Sequence, residues 1–246
     1  MAQKIISYKN EDFTLSYAIQ NQGKKNTLII LHGWGANKNL MQNAFKDSFK
    51  DFTHYYIDLP GFGDSKIPPF TLNTQDYANI IMLLLESLKL QAKVCNILGH
   101  SFGGKVATLL NPKELILLSS AGIKTKKSLK TRLKIYITKT LNKLAPALSK
   151  FLKNFLRSQD AQNLDEIMYQ TFKRVVDEDF SEIFANFTNK AYIFWGKSDL
   201  ATPLKSGEKI ANLIKDSTFF PLDGDHFFFL KQAKTIESLY LKAKAY

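Results

Sequence analysis

The sequence contains one cysteine, Cys95, and it lacks any apolar run long enough to cross a membrane. A single cysteine excludes an intramolecular disulfide, and its place within an apolar run predicts a buried thiol. A transmembrane helix needs about 18 or more consecutive apolar residues, so none is expected. Residues 1–9 also lack the apolar segment of a secretory signal peptide. Together these absences predict a cytoplasmic protein.

Arginine is also scarce, since only three of the 34 basic residues are arginine although the formal net charge is +12. Nucleic-acid-binding surfaces favour arginine side chains interleaved with aromatic ones, and no such motif occurs. The charge therefore does not predict a nucleic-acid partner. Hydrophobic residues make up 45% and aromatic residues 13% of the 246 residues. This composition excludes disorder and is sufficient for one α/β domain with a sizeable core.

Apolar runs alternate with stretches of helical periodicity along most of the chain. The runs are typical of strands buried on both faces, and they lie at 27–31, 94–98, 114–119 and 191–195. Helical spacing recurs at 39–49, 72–90, 204–214 and 229–244. This alternation predicts an α/β fold, in which a mostly parallel, twisted sheet carries helices on both faces. Two short strands, 3–8 and 12–20, precede this pattern.

Residues 122–187 interrupt the alternation, because they show helical periodicity and no strand. We therefore predict a core formed by residues 1–121 and 188–246, with a helical cap, or lid, at 122–187. Between Gly122 and Ser158 the sequence has eleven lysine or arginine residues and no acidic residue. An amphipathic basic cap suits an acidic acyl carrier protein or a weak contact with anionic lipid head groups. A lysine-rich face that contacts only solvent is an equally good interpretation.

Residues 99–104 read Gly-His-Ser-Phe-Gly-Gly and lie between an apolar run and a stretch with helical spacing. This strand–turn–helix context is that of a nucleophile elbow, with Ser101 as the nucleophile. The turn is too tight for bulky side chains two positions either side of the serine, which explains Gly99 and Gly103. The helix that follows would direct its N-terminal N–H groups towards an oxyanion formed at Ser101.

Polar residues that follow the apolar runs are the candidates for the rest of the site, because ligands bind at the carboxyl ends of parallel strands. Asp199 follows one run and His226 follows the last, giving the order serine, acid, histidine. A serine hydroxyl needs a base such as His226, and Asp199 would orient the imidazole. The other histidines are predicted to pack or to brace loops: His32, His54 and His100. The alternative acids are less well placed: Asp58, Asp223 and Asp225.

Five motifs in this order resemble the α/β-hydrolase superfamily: LHGWG at 31–35, DLPGFGDS at 58–65, GHSFGG at 99–104, WGKSD at 195–199 and GDH at 224–226. The resemblance implies an oxyanion hole made by two backbone N–H groups, which here are those of Trp34 and Phe102. It also implies that no metal or cofactor is needed. Leu40, Phe62 and Phe227 are expected to line the substrate pocket because they adjoin these motifs.

The first two motifs are similar to those of pimeloyl-carrier-protein methyl ester esterases, and they also occur in general carboxylesterases and cofactor-free perhydrolases. We therefore expect a serine hydrolase that cleaves carboxylic esters through an acyl-enzyme. The substrate would be a small ester or acyl group, free or on an acidic carrier protein. One alternative is a carbon–carbon bond hydrolase of the meta-cleavage (2-hydroxy-6-oxo-dienoate) type, although that class has asparagine and tryptophan where this chain has His100 and Phe227. A catalytically inactive binding protein with the same fold is the other alternative.

Overall fold

The computed structural model describes residues 2–124 and 165–245, and these form eight strands and seven α-helices. The strands are β1 (Ala2–Tyr8), β2 (Glu11–Gln20), β3 (Asn26–Leu31), β4 (Phe52–Ile57), β5 (Asn96–His100), β6 (Glu114–Leu118), β7 (Lys190–Gly196) and β8 (Ser217–Leu222). The helices are α1 (Lys38–Phe45), α2 (Thr74–Ser87), α3 (Phe102–Leu109), α4 (Glu166–Val175), α5 (Ser181–Ala185), α6 (Leu204–Leu213) and α7 (Phe229–Lys244). A short 3₁₀ turn, Ala92–Val94, precedes β5.

The eight strands form a single sheet in the order β1-β2-β4-β3-β5-β6-β7-β8. β2 pairs antiparallel with both β1 and β4. Every pair from β4 to β8 is parallel. The predicted α/β fold with a mostly parallel sheet is therefore confirmed. The carboxyl ends of β3 and β5–β8 lie along one edge of the sheet, where the predicted site residues follow them.

Side chains of the central strands alternate between two cores, one on each face of the sheet. Ile29 and Ile97 contribute to the larger core, which also holds buried side chains from α2, α3 and α6. Leu28 and Leu98 face the smaller core, which α1 and α7 cover. Because both faces are buried, the strands read as continuous apolar runs rather than as alternating ones.

Two helices end earlier than predicted, and in each case a residue shortly after the observed end has a left-handed backbone conformation. The helix predicted at 39–49 ends at Phe45, and Phe49 has a φ of 53°. The helix predicted at 72–90 ends at Ser87, and Lys89 has a φ of 60°. Cys95 is buried as expected, but it precedes β5 rather than forming part of it.

Most of the predicted cap lies outside the described residues, because these omit 125–164. The basic stretch at 122–158 falls almost entirely within that gap. In the described remainder, α4 and α5 are helical, whereas the division into core and cap stays a prediction. None of the helices within 2–124 and 165–245 combines the length and the apolarity that a membrane crossing requires.

Candidate active site

Ser101 occupies the turn between β5 and α3 with a φ of 50° and a ψ of −113°. A positive φ is uncommon for a residue other than glycine and marks local strain. Backbone hydrogen bonds hold this conformation: the Ser101 N–H donates to the carbonyl of Leu118 at 3.0 Å, and the Ser101 carbonyl accepts from Ala121 at 3.0 Å. The turn therefore presents Ser101 at the carboxyl edge of the sheet and at the N-terminus of α3.

Two glycines allow the elbow to pack against its neighbours. A Cβ at Gly99 would lie 2.4 Å from the carbonyl oxygen of Gly103, and one at Gly103 would lie 2.5 Å from that of His32. Both contacts are with backbone atoms, which cannot move aside as a flexible side chain can. The glycines of the motif thus let α3 approach β5 and the end of β3 closely, as the sequence predicts.

Asp199 and His226 lie beyond the carboxyl ends of β7 and β8, and they form a hydrogen bond. His226 Nδ1 lies 2.8 Å from Asp199 Oδ2. Burial alone would raise the pKa of Asp199, but hydrogen bonds from His226 and Thr202 outweigh it and lower this pKa to about 2. The ionised carboxylate can only accept a hydrogen bond, so the proton of a neutral His226 ring resides on Nδ1. His226 Nε2 is then free to act as a base.

The Asp199 carboxylate is held by the loop that follows β7. The backbone N–H groups of Ala201 and Thr202 donate to Oδ1 at 2.8 and 2.9 Å. The Thr202 hydroxyl donates to Oδ2 at 2.8 Å. The indole N–H of Trp195 donates to the Thr202 carbonyl at 2.7 Å, which anchors the loop to the sheet. These bonds leave the carboxylate little freedom to rotate away from His226.

His32 braces the loop of residues 33–36 that follows β3. The backbone N–H of Leu59 donates to His32 Nε2 at 3.0 Å, so Nδ1 carries the proton and donates to the Gly33 carbonyl at 2.7 Å. Burial lowers the pKa of His32 to about 4, which keeps the ring neutral. His32 thus links the loop carrying Trp34 to the loop after β4, and these contacts agree with its predicted role in bracing a loop.

Asp58 holds the beginning of α1 through a buried ion pair. Its carboxylate accepts from the Lys38 backbone N–H and from Lys38 Nζ, both at 2.6 Å, and from the Asp64 N–H at 2.9 Å. Neither the Lys38 nor the Asp58 side chain is exposed to solvent. This arrangement engages Asp58 at the beginning of α1 and places the loop of residues 33–36 between two fixed points, His32 and Lys38.

The two remaining histidines make buried structural contacts. His54 Nε2 donates to the Phe49 carbonyl at 2.8 Å, and Nδ1 accepts from the Tyr56 hydroxyl at 2.9 Å. His100 Nε2 lies 3.0 Å from the carbonyl oxygen of His226 and donates to it. The His100 ring also contacts the ring of His226, with 4.7 Å between centroids. His100 therefore packs behind the loop that carries His226, consistent with its predicted packing role.

A cavity of about 1160 Å³ opens at this edge of the sheet, and Ser101, Phe102 and His226 all line it. Two of the three predicted pocket residues, Leu40 and Phe227, line it too, as does Trp34, which is predicted to supply an oxyanion N–H group. The third predicted pocket residue, Phe62, is not among the described residues that line the cavity. Its ring packs against that of Trp34, with 4.8 Å between the ring centroids. The lining also includes apolar residues that no sequence motif predicts, among them Phe172, Val175 and Val176.

Comparison with known proteins identifies the architecture. A family model described as alpha/beta hydrolase fold matches residues 26–116. A solved structure of an esterase from Exiguobacterium antarcticum superposes with a TM-score of 0.75 at 21% identity, covering 99% of this chain and 100% of that one. The chain has the α/β-hydrolase fold. The fold implied by the five motifs is thereby confirmed.

Two curated relatives match stretches that make up less than half of this chain. A pimeloyl-acyl-carrier-protein methyl ester esterase from Pseudoalteromonas atlantica is 33% identical over 106 residues, which are 40% of this chain and 39% of the relative. The 1-acylglycerol-3-phosphate O-acyltransferase ABHD5 from Rattus norvegicus is 32% identical over 112 residues, which are 44% of this chain and 31% of the relative. The matches thus span less than half the length of either relative.

Several polar residues around the candidate site are not among the sequence predictions. Thr202 touches both Asp199 and the carbonyl of Ser119, and Lys38 is paired with Asp58. Lys105, one turn into α3, is buried beside the cavity. The signal for Thr202 is its position three residues after Asp199, which suits a hydrogen bond to that carboxylate. The two lysines give no local signal, because lysine side chains are mostly exposed.

Two buried histidines should make the hydrolase fold sensitive to acid. Burial lowers the pKa of His32 to about 4 and that of His100 to about 3. Below about pH 6.5 the unfolded imidazoles take up protons that the folded ones do not, so protonation favours unfolding. We expect the free energy of unfolding to be greatest above pH 6.5 and to fall steadily towards pH 4, as measured by urea denaturation.

His100→Gln provides the matched control, since its amide can donate to the His226 carbonyl but does not titrate. The variant should lose less stability than the wild type between pH 6.5 and pH 4. Identical pH dependence in the two proteins would show that His100 is not held neutral in the folded state.

Proposed function

We propose that the protein is a serine hydrolase that cleaves carboxylic esters, with Ser101 as nucleophile, His226 as base and Asp199 as the group that orients it. One observation carries the proposal: the hydrogen-bonded Asp199–His226 pair and the strained Ser101 converge on one cavity at the carboxyl edge of the sheet. This is the arrangement that a serine nucleophile needs for activation.

The first half of the reaction forms an acyl-enzyme. Ser101 Oγ attacks the ester carbonyl carbon while His226 Nε2 takes the hydroxyl proton, and Asp199 stabilises the resulting imidazolium. The carbonyl oxygen becomes an oxyanion, which accepts hydrogen bonds from the backbone N–H groups of Phe102 and Trp34. Phe102 is suited to this role because it is the first residue of α3, where N–H groups have no partner within the helix. The carbon–oxygen bond of the ester then breaks, and His226 gives its proton to the departing alcohol.

The second half of the reaction releases the acid. Water enters the position of the alcohol, His226 Nε2 removes a proton from it, and the hydroxide attacks the acyl carbon. The second oxyanion is held by the same two N–H groups, and collapse returns the proton from His226 to Ser101 Oγ. Every proton and electron pair is accounted for by the three side chains and water, so the scheme uses neither a metal nor a cofactor.

The cavity lining supports an apolar acyl group. Leu40, Phe172, Val175 and Phe227 contribute apolar side chains around Ser101. The relative from Pseudoalteromonas atlantica is named for an ester borne on acyl carrier protein. That name and the basic composition of residues 122–158 support a small ester or acyl substrate whose acyl group is free or carried on an acidic protein. The comparisons do not favour the alternative, carbon–carbon bond hydrolysis.

Hydrolysis of p-nitrophenyl esters from acetate to decanoate tests this proposal. We expect turnover in the presence of EDTA, with a preferred chain length that reports the size of the acyl pocket. A folded protein that hydrolyses none of these esters at any chain length would contradict the proposal.

A further inference from the structure

Lys105 lies one helical turn beyond Ser101, and its side chain forms part of the cavity wall although it is only 2% exposed. Its Nζ donates to the carbonyl of Val175 and to the carboxylate of Glu178, each at 2.6 Å. Nζ also lies 4.7 Å from the centroid of the Phe180 ring. A buried ammonium group is costly unless it is paired and hydrogen-bonded, so these contacts are what allow Lys105 to lie there.

Glu178 connects Lys105 to a third part of the molecule. Its carboxylate also accepts hydrogen bonds from the hydroxyl and the backbone N–H of Thr74, at the beginning of α2. A carboxylate at the N-terminus of a helix is additionally favoured by the helix dipole. The Thr171 hydroxyl accepts from the Leu72 N–H at 3.1 Å, which attaches α4 to the same region. Residues 171–178, here called the wall segment, are therefore fastened to both α2 and α3.

The wall segment contributes apolar side chains to the cavity that contains Ser101 and His226. Phe172, Val175 and Val176 all line it. Lys105 Nζ donates a hydrogen bond to the backbone carbonyl of Val175. The position of these apolar side chains therefore depends on the Lys105–Glu178 ion pair. Removing the Glu178 charge would leave Lys105 buried without its partner, and the segment would have to move to admit water.

We propose that the Lys105–Glu178 ion pair determines the acyl-chain selectivity of the enzyme by holding the wall segment at the cavity. The inference rests on the ester hydrolase activity proposed above. A short acyl group stays near Ser101, whereas a longer one extends along the apolar wall and loses contact when the segment moves. Lys105 and Glu178 are positioning residues in this account, since they act through Phe172, Val175 and Val176.

The test compares kcat and KM for p-nitrophenyl acetate and decanoate in the wild type and in Glu178→Gln. We expect the decanoate-to-acetate ratio of kcat/KM to fall by at least about tenfold, mainly because KM for decanoate rises. Lys105→Met should lower the ratio similarly. Asp216→Asn is the matched control, because it removes an exposed ion pair with Lys190 that does not line the cavity, and it should leave the ratio unchanged.

An unchanged ratio in folded Glu178→Gln would overturn the proposal, as would an equal change in Asp216→Asn. If Glu178→Gln does not fold, the double variant Lys105→Met/Glu178→Leu removes both charges at once, which buried pairs often tolerate, and its ratio should fall as well. A folded double variant with wild-type selectivity would also overturn the proposal.

Binding without turnover separates this inference from the proposed function. In Ser101→Ala, titration with decanoate and with butanoate can be followed by the fluorescence of Trp34, which lines the cavity. Adding Glu178→Gln should weaken decanoate binding at least about fivefold relative to butanoate binding. This result is expected even if the wild type hydrolyses no ester, and equal weakening for both acids would contradict the inference.

Discussion

Replacing Ser101 with alanine should lower kcat for the best p-nitrophenyl ester by about 10⁶-fold. The variant keeps the cavity, the proposed oxyanion donors and the Asp199–His226 pair, but it has no oxygen to form the acyl-enzyme. Only water positioned by the remaining groups could then attack the ester. The loss should appear in kcat, while KM stays within about threefold, because the hydroxyl contributes little to ground-state binding. Steady-state kinetics with matched thermal unfolding midpoints provide the measurement.

The double variant Ser101→Ala/His226→Ala tests whether Ser101 and His226 act together in the reaction. Serine and histidine act as one unit, since the base has no function once the nucleophile is gone. We therefore expect His226→Ala alone to lose about as much as Ser101→Ala, and the double variant to lose no more than either. Losses that add in the double variant would mean that the two residues act independently, and the proposed mechanism would be wrong.

Asp199→Asn should lower kcat by about 10⁴-fold with the fold intact. The cause lies in the contacts of the carboxylate. Oδ1 accepts from the N–H groups of Ala201 and Thr202, so the oxygen of the asparagine amide must stay there. The amide nitrogen then replaces Oδ2 beside His226 Nδ1 and donates to it. His226 is thereby forced into the tautomer whose Nε2 carries the proton and cannot accept one from Ser101.

Asp225→Asn is the matched control for this substitution, because Asp225 is the immediate sequence neighbour of His226 and its carboxylate accepts only the exposed Phe227 N–H among the described hydrogen bonds. It should retain activity within about threefold of the wild type. An equal loss in Asp225→Asn and Asp199→Asn would mean that the acid had been assigned to the wrong residue. Kinetics at pH 7 for the three proteins, on one ester, decide between these outcomes.

The fold could be predicted from the sequence because the central strands are buried on both faces and therefore appear as uninterrupted apolar runs. The predicted site residues follow from the same fact, since polar side chains directly after such runs meet at one edge of the sheet. The predicted catalytic residues at that edge are Ser101, Asp199 and His226. Ser101 and His226 line one cavity, and Asp199 is hydrogen-bonded to His226. Their joint role in catalysis remains a proposal.

The contacts that support the site could not be predicted in the same way. Lys38 and Asp58 are 20 residues apart, and Lys105 and Glu178 are 73 residues apart, so no local pattern relates the partners. Each lysine lies in a helix, where solvent exposure is the usual expectation. Phe62 adjoins a motif and yet packs behind Trp34, whereas Phe172 lines the cavity although no motif lies near it. Adjacency in sequence is a weak guide to pocket lining because distant segments build the wall.

Covalent labelling with a fluorophosphonate tests the central claim most directly, because the reagent reacts with an activated serine and with little else. We predict one adduct per chain by intact-mass spectrometry, located by peptide mapping to Ser101. His226→Ala should suppress the reaction, and Ser101→Ala should abolish it. An active esterase that takes up no label, or that takes it up at another residue with Ser101 unmodified, would contradict the assignment of Ser101 as the nucleophile.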